Sequence, residues 1–163
     1  MPERPDTIVV FGSNKAGRHG AGSALLAREE FGAVYGIGHG LQGRSYAIPT
    51  KDGRPGTPNL RDPKATLPLN EISSYIQDFI RYAKNNPDMR FFVFRLGCQL
   101  ATHKDSDIAP LFTGSPLNCS FPEEWAAYLH FDSTTTNQIN RRKLHAKKTN
   151  RRGKNKRNTS IKL

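Results

Sequence analysis

Apolar positions in this chain come in short dense runs separated by polar, glycine-rich stretches. Residues 7–11 (TIVVF) form a β-branched run that breaks at Gly12, the pattern of a buried strand. A glycine-rich segment follows (GSNKAGRHGAGS), then ALLAREEFGA, whose Leu25, Leu26 and Phe31 can share one helical face. Residues 45–50 (SYAIPT) read as a second strand, stopped by Pro49 and the polar loop KDGRPGTPN. The clearest helix follows, with Asn70 as N-cap and Ile72, Ile76, Phe79, Ile80 and Ala83 in one apolar stripe, ending near Asn85, Asn86 and Pro87. Residues 90–96 (RFFVFRL) read as another buried strand running into Gly97 and Cys98. Asp105 or Ser106 caps a short helix through Ile108 to Phe112, and residues 123–129 (EEWAAYL) make a last short helix.

Strands alternating with helices predict an α/β layered domain with at least part of its sheet parallel. In such sheets ligands gather at the carboxyl ends of the strands. The glycine-rich loop, the PTKD turn and the RLGCQLATHKD turn all follow predicted strands, so a cleft built from these three loops is the natural expectation.

The net charge of +11 over 163 residues changes the picture once it is located. From Phe131 to the end there are five arginines, six lysines and one acid, Asp132, so residues 1–130 are nearly neutral and residues 131–163 form a basic tail. The tail has too few apolar residues to offset the ~1–2 kcal/mol per residue of ordering its backbone, and is expected to be disordered. Its basic clusters, Arg141, Arg142, Lys143, Lys147, Lys148, Arg151 and Arg152, either attract a nucleic-acid backbone or are a solvated extension. Past Phe131 no aromatic residue interrupts the run to stack on bases.

Composition narrows the class further. No apolar run approaches the ~20 residues that span a bilayer, and the opening MPERPDT lacks the order of a secretory signal, so a cytoplasmic protein is expected. Cys98 and Cys119 have neither the density of a disulfide scaffold nor the spacing of a zinc site, and are expected to be two buried free thiols. No metal and no cofactor is implied.

Each loop carries its own chemistry. Gly17, Gly20 and Gly22 precede a helix, where bare backbone N–H groups can meet a phosphate, or where the glycines make only a tight turn. Arg18 and His19 are candidate phosphate donors there, and His19 lacks a second metal ligand at i+3 or i+4. Lys51 is either a nucleophile toward a sugar anomeric carbon, a phosphate contact, or a surface lysine. Asp105 and Asp107 offer general acid or base chemistry, or cap a helix.

These loops, in this order, resemble macro domains, nearest to the branch of terminal ADP-ribose protein glycohydrolases. That branch has a glycine segment ending GAG-I-A, a strand ending I-T-K and a strand ending R-I-G-C-G-L-D. The matching stretches are Gly20-Ala21-Gly22-Ser23-Ala24, Ile48-Pro49-Thr50-Lys51 and Arg95-Leu96-Gly97-Cys98-Gln99-Leu100-Ala101. The chain also resembles a group of short bacterial and phage-borne proteins sharing FGSN-x-AGRHG-x-G, GLQG-x-SYAIPTK and DIAPLF. The likeness covers about residues 7–129.

The resemblance implies a three-layer fold with a mixed central sheet and an ADP-ribose-type nucleotide lying over the strand ends. Gly20, Ala21 and Gly22, with Gly97, Cys98, Gln99 and Leu100, would line the diphosphate. Asn14 would reach the distal ribose, with Ser13, Arg18, His19 and Thr50 as further contacts. Lys51 stands where the glycohydrolases have their nucleophilic lysine. The acid that resolves the lysine adduct falls at Ala101, and Gln99 replaces a glycine. Asp105 or Asp107 would substitute only if the ATHKD loop folds back over the ligand. Four functions stand as expectations: a module that binds ADP-ribose or a related NAD-derived nucleotide, an enzyme that hydrolyses ADP-ribosyl linkages through Lys51, a non-catalytic sponge for a nucleotide signal, and a tail-driven nucleic-acid-binding protein.

Overall fold

The computed structural model describes residues 4–97 and 101–129, and the basic tail lies outside them. Strand β1 (Ile8–Asn14) is buried along almost its whole length, and β3 (Ser45–Lys51) is buried at every position. Such continuous burial belongs to strands covered on both faces. β1 sits at the centre of a mixed five-stranded sheet in the order β2-β3-β1-β4-β5, where β2 is Gly40–Gln42, β4 is Phe91–Val93 and β5 is Cys119–Ser120. It pairs in parallel with both β3 and β4; β5 is parallel to β4, and β2 is antiparallel to β3.

Contrary to the expected break at Gly12, β1 continues through Gly12, Ser13 and Asn14. A Cβ at Gly12 would stand 3.2 Å from the Leu96 Cβ, so the glycine marks a close approach between neighbours rather than a strand end. The register then slips between Ser13 and Asn14, opposite Pro49, and this sets Asn14 against Lys51. Proline cannot donate to the ladder, so the irregularity falls where a rung is missing.

The two longer helices cover opposite faces of the sheet. α2 (Leu69–Asn85) buries Ile72, Ile76, Phe79, Ile80 and Ala83 against Ile8, Val10, Tyr46 and Ile48. This is the apolar stripe read from the sequence, although the helix starts two residues early and Pro68, not Asn70, is its N-cap. α1 (Gly22–Glu30) lies against Phe11 and Ala47, the alternate residues of the same strands. Its buried face is Ala24 and Ala27, whereas Leu25 and Leu26 are only half-buried and Phe31 is buried just past the helix end. Small residues there let the helix approach the large Phe11 ring.

The remaining elements are shorter than the sequence suggests. α3 (Asp105–Ile108) is capped by Lys104 rather than by Asp105 or Ser106, and runs into a 3-10 turn at Ala109–Phe112. Glu123–Trp125 is a single 3-10 turn. Cys119 is a free, half-buried thiol that burial pushes up to about 12; Cys98 lies outside the described residues. Among the described residues no helix is long and apolar enough to cross a membrane.

Candidate ligand cavity at the strand ends

β1, β3 and β4 run in the same direction, so their carboxyl ends share one edge of the sheet. A cavity of about 450 Å³ opens there. β1 contributes Gly12, Ser13 and Asn14 to its wall, and β3 contributes Thr50 and Lys51. The segment after β4 supplies Arg95, Leu96 and Gly97, with Ala101 beyond. The three loops singled out in the sequence therefore do converge.

The first turn of α1 forms another part of the wall, from Gly20 through Ala24. Its N-cap, Ala21, has no side chain to accept from the helix, and no acid stands in the first turn. The leading N–H groups of a helix have no intrahelical partner, and here they carry the positive end of the helix dipole at the cavity. Nothing lies within 4 Å of a Cβ placed on Gly20 or Gly22, so the space over this turn is open.

The charged groups in the wall are all basic: Arg18, Lys51, Arg61 and Arg95 line the cavity, and no carboxylate does among the described residues. Lys51 is 6% exposed, and its ammonium donates to the Leu60 carbonyl. Burial pulls its pKa below the ordinary lysine value, and the nearby Asp62 opposes that shift. Arg95 is held by Asp105, its Nε and Nη2 donating to the two carboxylate oxygens at 2.8 and 2.5 Å.

Ser13, Asn14 and Thr50, expected as ligand contacts, line the cavity and also brace its wall. The Ser13 hydroxyl donates to the Gly38 carbonyl, and Thr50 Oγ1 donates to the Ser13 carbonyl at 3.3 Å. The Asn14 carboxamide closes its own turn, donating to the Arg18 carbonyl at 2.9 Å and accepting from the Arg18 amide at 3.0 Å. One amide hydrogen and one oxygen lone pair remain beyond these two bonds, and Asn14 lines the cavity.

Three candidates do not line the cavity. His19 is wholly buried, its Nε2 donating to the Ile37 carbonyl at 3.1 Å and its ring edge-on to Phe11. It does not line the cavity, because Gly17 lets the loop tuck the imidazole beneath residues 36 and 37. Asp105 also accepts from the Trp125 indole at 2.8 Å, and Asp107 accepts from the Lys104 amide at 3.2 Å as part of a helix cap. Neither acid is in the cavity wall with Lys51. Cys98, Gln99 and Leu100, and the tail residues Arg141 to Arg152, lie outside the described residues.

The structure adds residues that the sequence reading passed over. Tyr35 lines the cavity and is 61% exposed, and Asn59, Leu60 and Arg61 form a wall from the loop after β3. Loop residues without periodicity gave no signal for either. Ala101, at the position of the missing acid, is 2% exposed and lines the same cavity. No protein-family model, curated protein or solved structure matches the chain.

Proposed function

We propose that the chain binds ADP-ribose or a related NAD-derived nucleotide in this cavity, within a macro-like three-layer fold. One observation carries the reading. An uncapped helix N-terminus, open backbone at Gly20 and Gly22, and four basic side chains meet in a cavity with no lining acid among the described residues. That combination suits a phosphate-bearing ligand. Tyr35 offers the flat apolar surface that a base would need. The nucleotide is narrowed to the ADP-ribose type by the motif likeness, whose glycine, lysine and alanine positions all fall on the wall.

The test is a thermal-shift titration of the full chain with ADP-ribose, NAD, AMP and cyclic ADP-ribose. At ~100 Kd a true ligand adds ~2.7 kcal/mol, enough to raise Tm by several degrees. A shift with ADP-ribose and none with AMP supports the reading; no shift with any of the four overturns it.

Hydrolysis of an ADP-ribosyl linkage by Lys51 is the second reading, favoured by the buried amine with its lowered pKa. With Ala101 in place of an acid, and Asp105 and Asp107 engaged elsewhere, sequestration of the nucleotide is the better supported activity. Turnover of an ADP-ribosylated substrate that is lost in Lys51→Ala would reverse that ranking.

A further inference from the structure

The loop after β3 hangs from a short ladder. Asp52 N donates to Ala65 O at 2.9 Å, and Lys51 bridges to Thr66. Between these anchors the arm 53–62 projects to the cavity, where Asn59, Leu60 and Arg61 form wall. Most of its described hydrogen bonds are local. Asp52 takes Arg54 with both carboxylate oxygens, Thr57 donates to Arg54 O, Arg61 N donates to Asn59 Oδ1, and Asp62 N donates to Asn59 O. These bonds shape the turns of the arm but do not fix where the arm stands.

One contact ties the arm to β3 and a second closes it on its own base, and both converge on Leu60. The Lys51 ammonium donates to the Leu60 carbonyl, nine residues away and the longest-range hydrogen bond to this arm among the described residues. The Leu60 side chain covers Gly53, which has φ +70° and where a Cβ would lie 2.5 Å from Leu60 Cδ2. Asp62, on the same arm, adds attraction for the buried ammonium.

We propose that Lys51 is a positioning residue whose ammonium pins the arm at Leu60, and that the pinned arm presents Arg61 to a phosphate of the ligand. Arg61 is exposed and lines the cavity, and it is its backbone amide that donates to Asn59 Oδ1. A guanidinium in that position favours a phosphorylated ligand over the corresponding nucleoside. The Arg61 part rests on the nucleotide reading of the cavity, whereas the pin is a property of the ligand-free chain.

Hydrogen exchange of the full chain without ligand tests the pin. Lys51→Met removes the ammonium and keeps the chain length, and is expected to speed exchange of the 53–62 peptide about tenfold while β1 and α2 keep their protection. Lys51→Arg keeps a donor and restores most of the protection. Wild-type exchange of the arm in Lys51→Met overturns the pin. Should that variant not fold, Lys51→Gln decides, since its neutral and shorter side chain also withdraws the ammonium from the Leu60 carbonyl, and unchanged exchange of the same peptide there also overturns the pin.

Calorimetry with ADP-ribose and with adenosine tests Arg61. Arg61→Gln is expected to weaken ADP-ribose about tenfold and to leave adenosine unchanged. Equal effects on both, or none, overturn the phosphate role. If the wild-type chain binds no ADP-ribose, the nucleotide reading and the Arg61 role fall together, while the exchange comparison still decides the pin.

Discussion

Arg95 and Asp105 meet edge to edge beside the cavity, with the Trp125 indole donating to the same carboxylate at 2.8 Å. Arg95 follows β4, Asp105 opens α3, and Trp125 is fully buried. The carboxylate thus ties the end of the sheet to two later segments. Asp105→Ala leaves a buried indole N–H without this acceptor and the guanidinium without its bidentate partner. The expected loss is ~2–3 kcal/mol of unfolding free energy. Denaturant melts check it, with Asp107→Ala as a comparison expected to lose under ~1 kcal/mol as a surface helix cap. Equal losses would mean that the Trp125 and Arg95 contacts add nothing.

Two glycines of the same loop should behave in opposite ways. Gly17 has φ +66°, and a Cβ there would fall 2.3 Å from the Ile37 amide nitrogen. Gly17→Ala must therefore displace backbone, and a loss of several kcal/mol or failure to fold is expected. Gly20 has no left-handed φ and only open space beside it, so Gly20→Ala should keep the wild-type Tm. The added methyl group stands where the ligand's phosphates would approach the backbone, and ADP-ribose affinity should fall at least tenfold. Thermal melts and calorimetry on the pair separate folding from binding; unaltered affinity in Gly20→Ala would remove this turn from the site.

The frame of the fold was legible because its signals are local and dense. Continuous apolar runs marked β1 and β3, and the i, i+4, i+7 stripe marked α2. The meeting of three loops at one edge followed from strand direction in α/β sheets. What escaped depends on tertiary packing. β2 and β5 have three and two residues, too few for a period to show. His19 sits among polar and glycine residues with no apolar period to mark it as buried, and it is buried by contacts with Phe11 and the Ile37 carbonyl. The Arg61 wall depends on Leu60 seating on Gly53, a contact across a loop that no local pattern announces. Asp105 stands beside the cavity on Arg95, but it is held by partners 10 and 20 positions away in the chain, which no local pattern announces.

Cys119 should be inert in the folded chain. Burial raises its thiol from 9.0 to about 12, so the folded state keeps the proton over a range where the unfolded state loses it. The stability this contributes is fully present below pH 9.0 and is lost progressively as pH rises from there toward about 12. At pH 8, where only the thiolate alkylates, iodoacetamide followed by peptide mapping should find Cys119 unmodified in native protein and modified in denaturant. Rapid native modification at that position would show that the β5 edge opens readily.

Tyr35 separates the two halves of the proposed ligand. It is 61% exposed, so Tyr35→Ala removes little buried area and Tm should stay within about a degree of wild type. If its ring stacks on a base, the loss is of the order of 1 kcal/mol or somewhat more, or about five- to tenfold in affinity for ADP-ribose. Inorganic pyrophosphate has no base, and its affinity should be unchanged by the same substitution. The basic groups should show the reverse dependence. Arg18→Gln removes a cation from the cavity wall and should weaken both ADP-ribose and pyrophosphate, more so at low salt. Calorimetry with these two probes against the two variants gives four affinities. A Tyr35→Ala variant that loses ADP-ribose and pyrophosphate in equal measure would place the base away from this ring and leave the tyrosine as a rim residue.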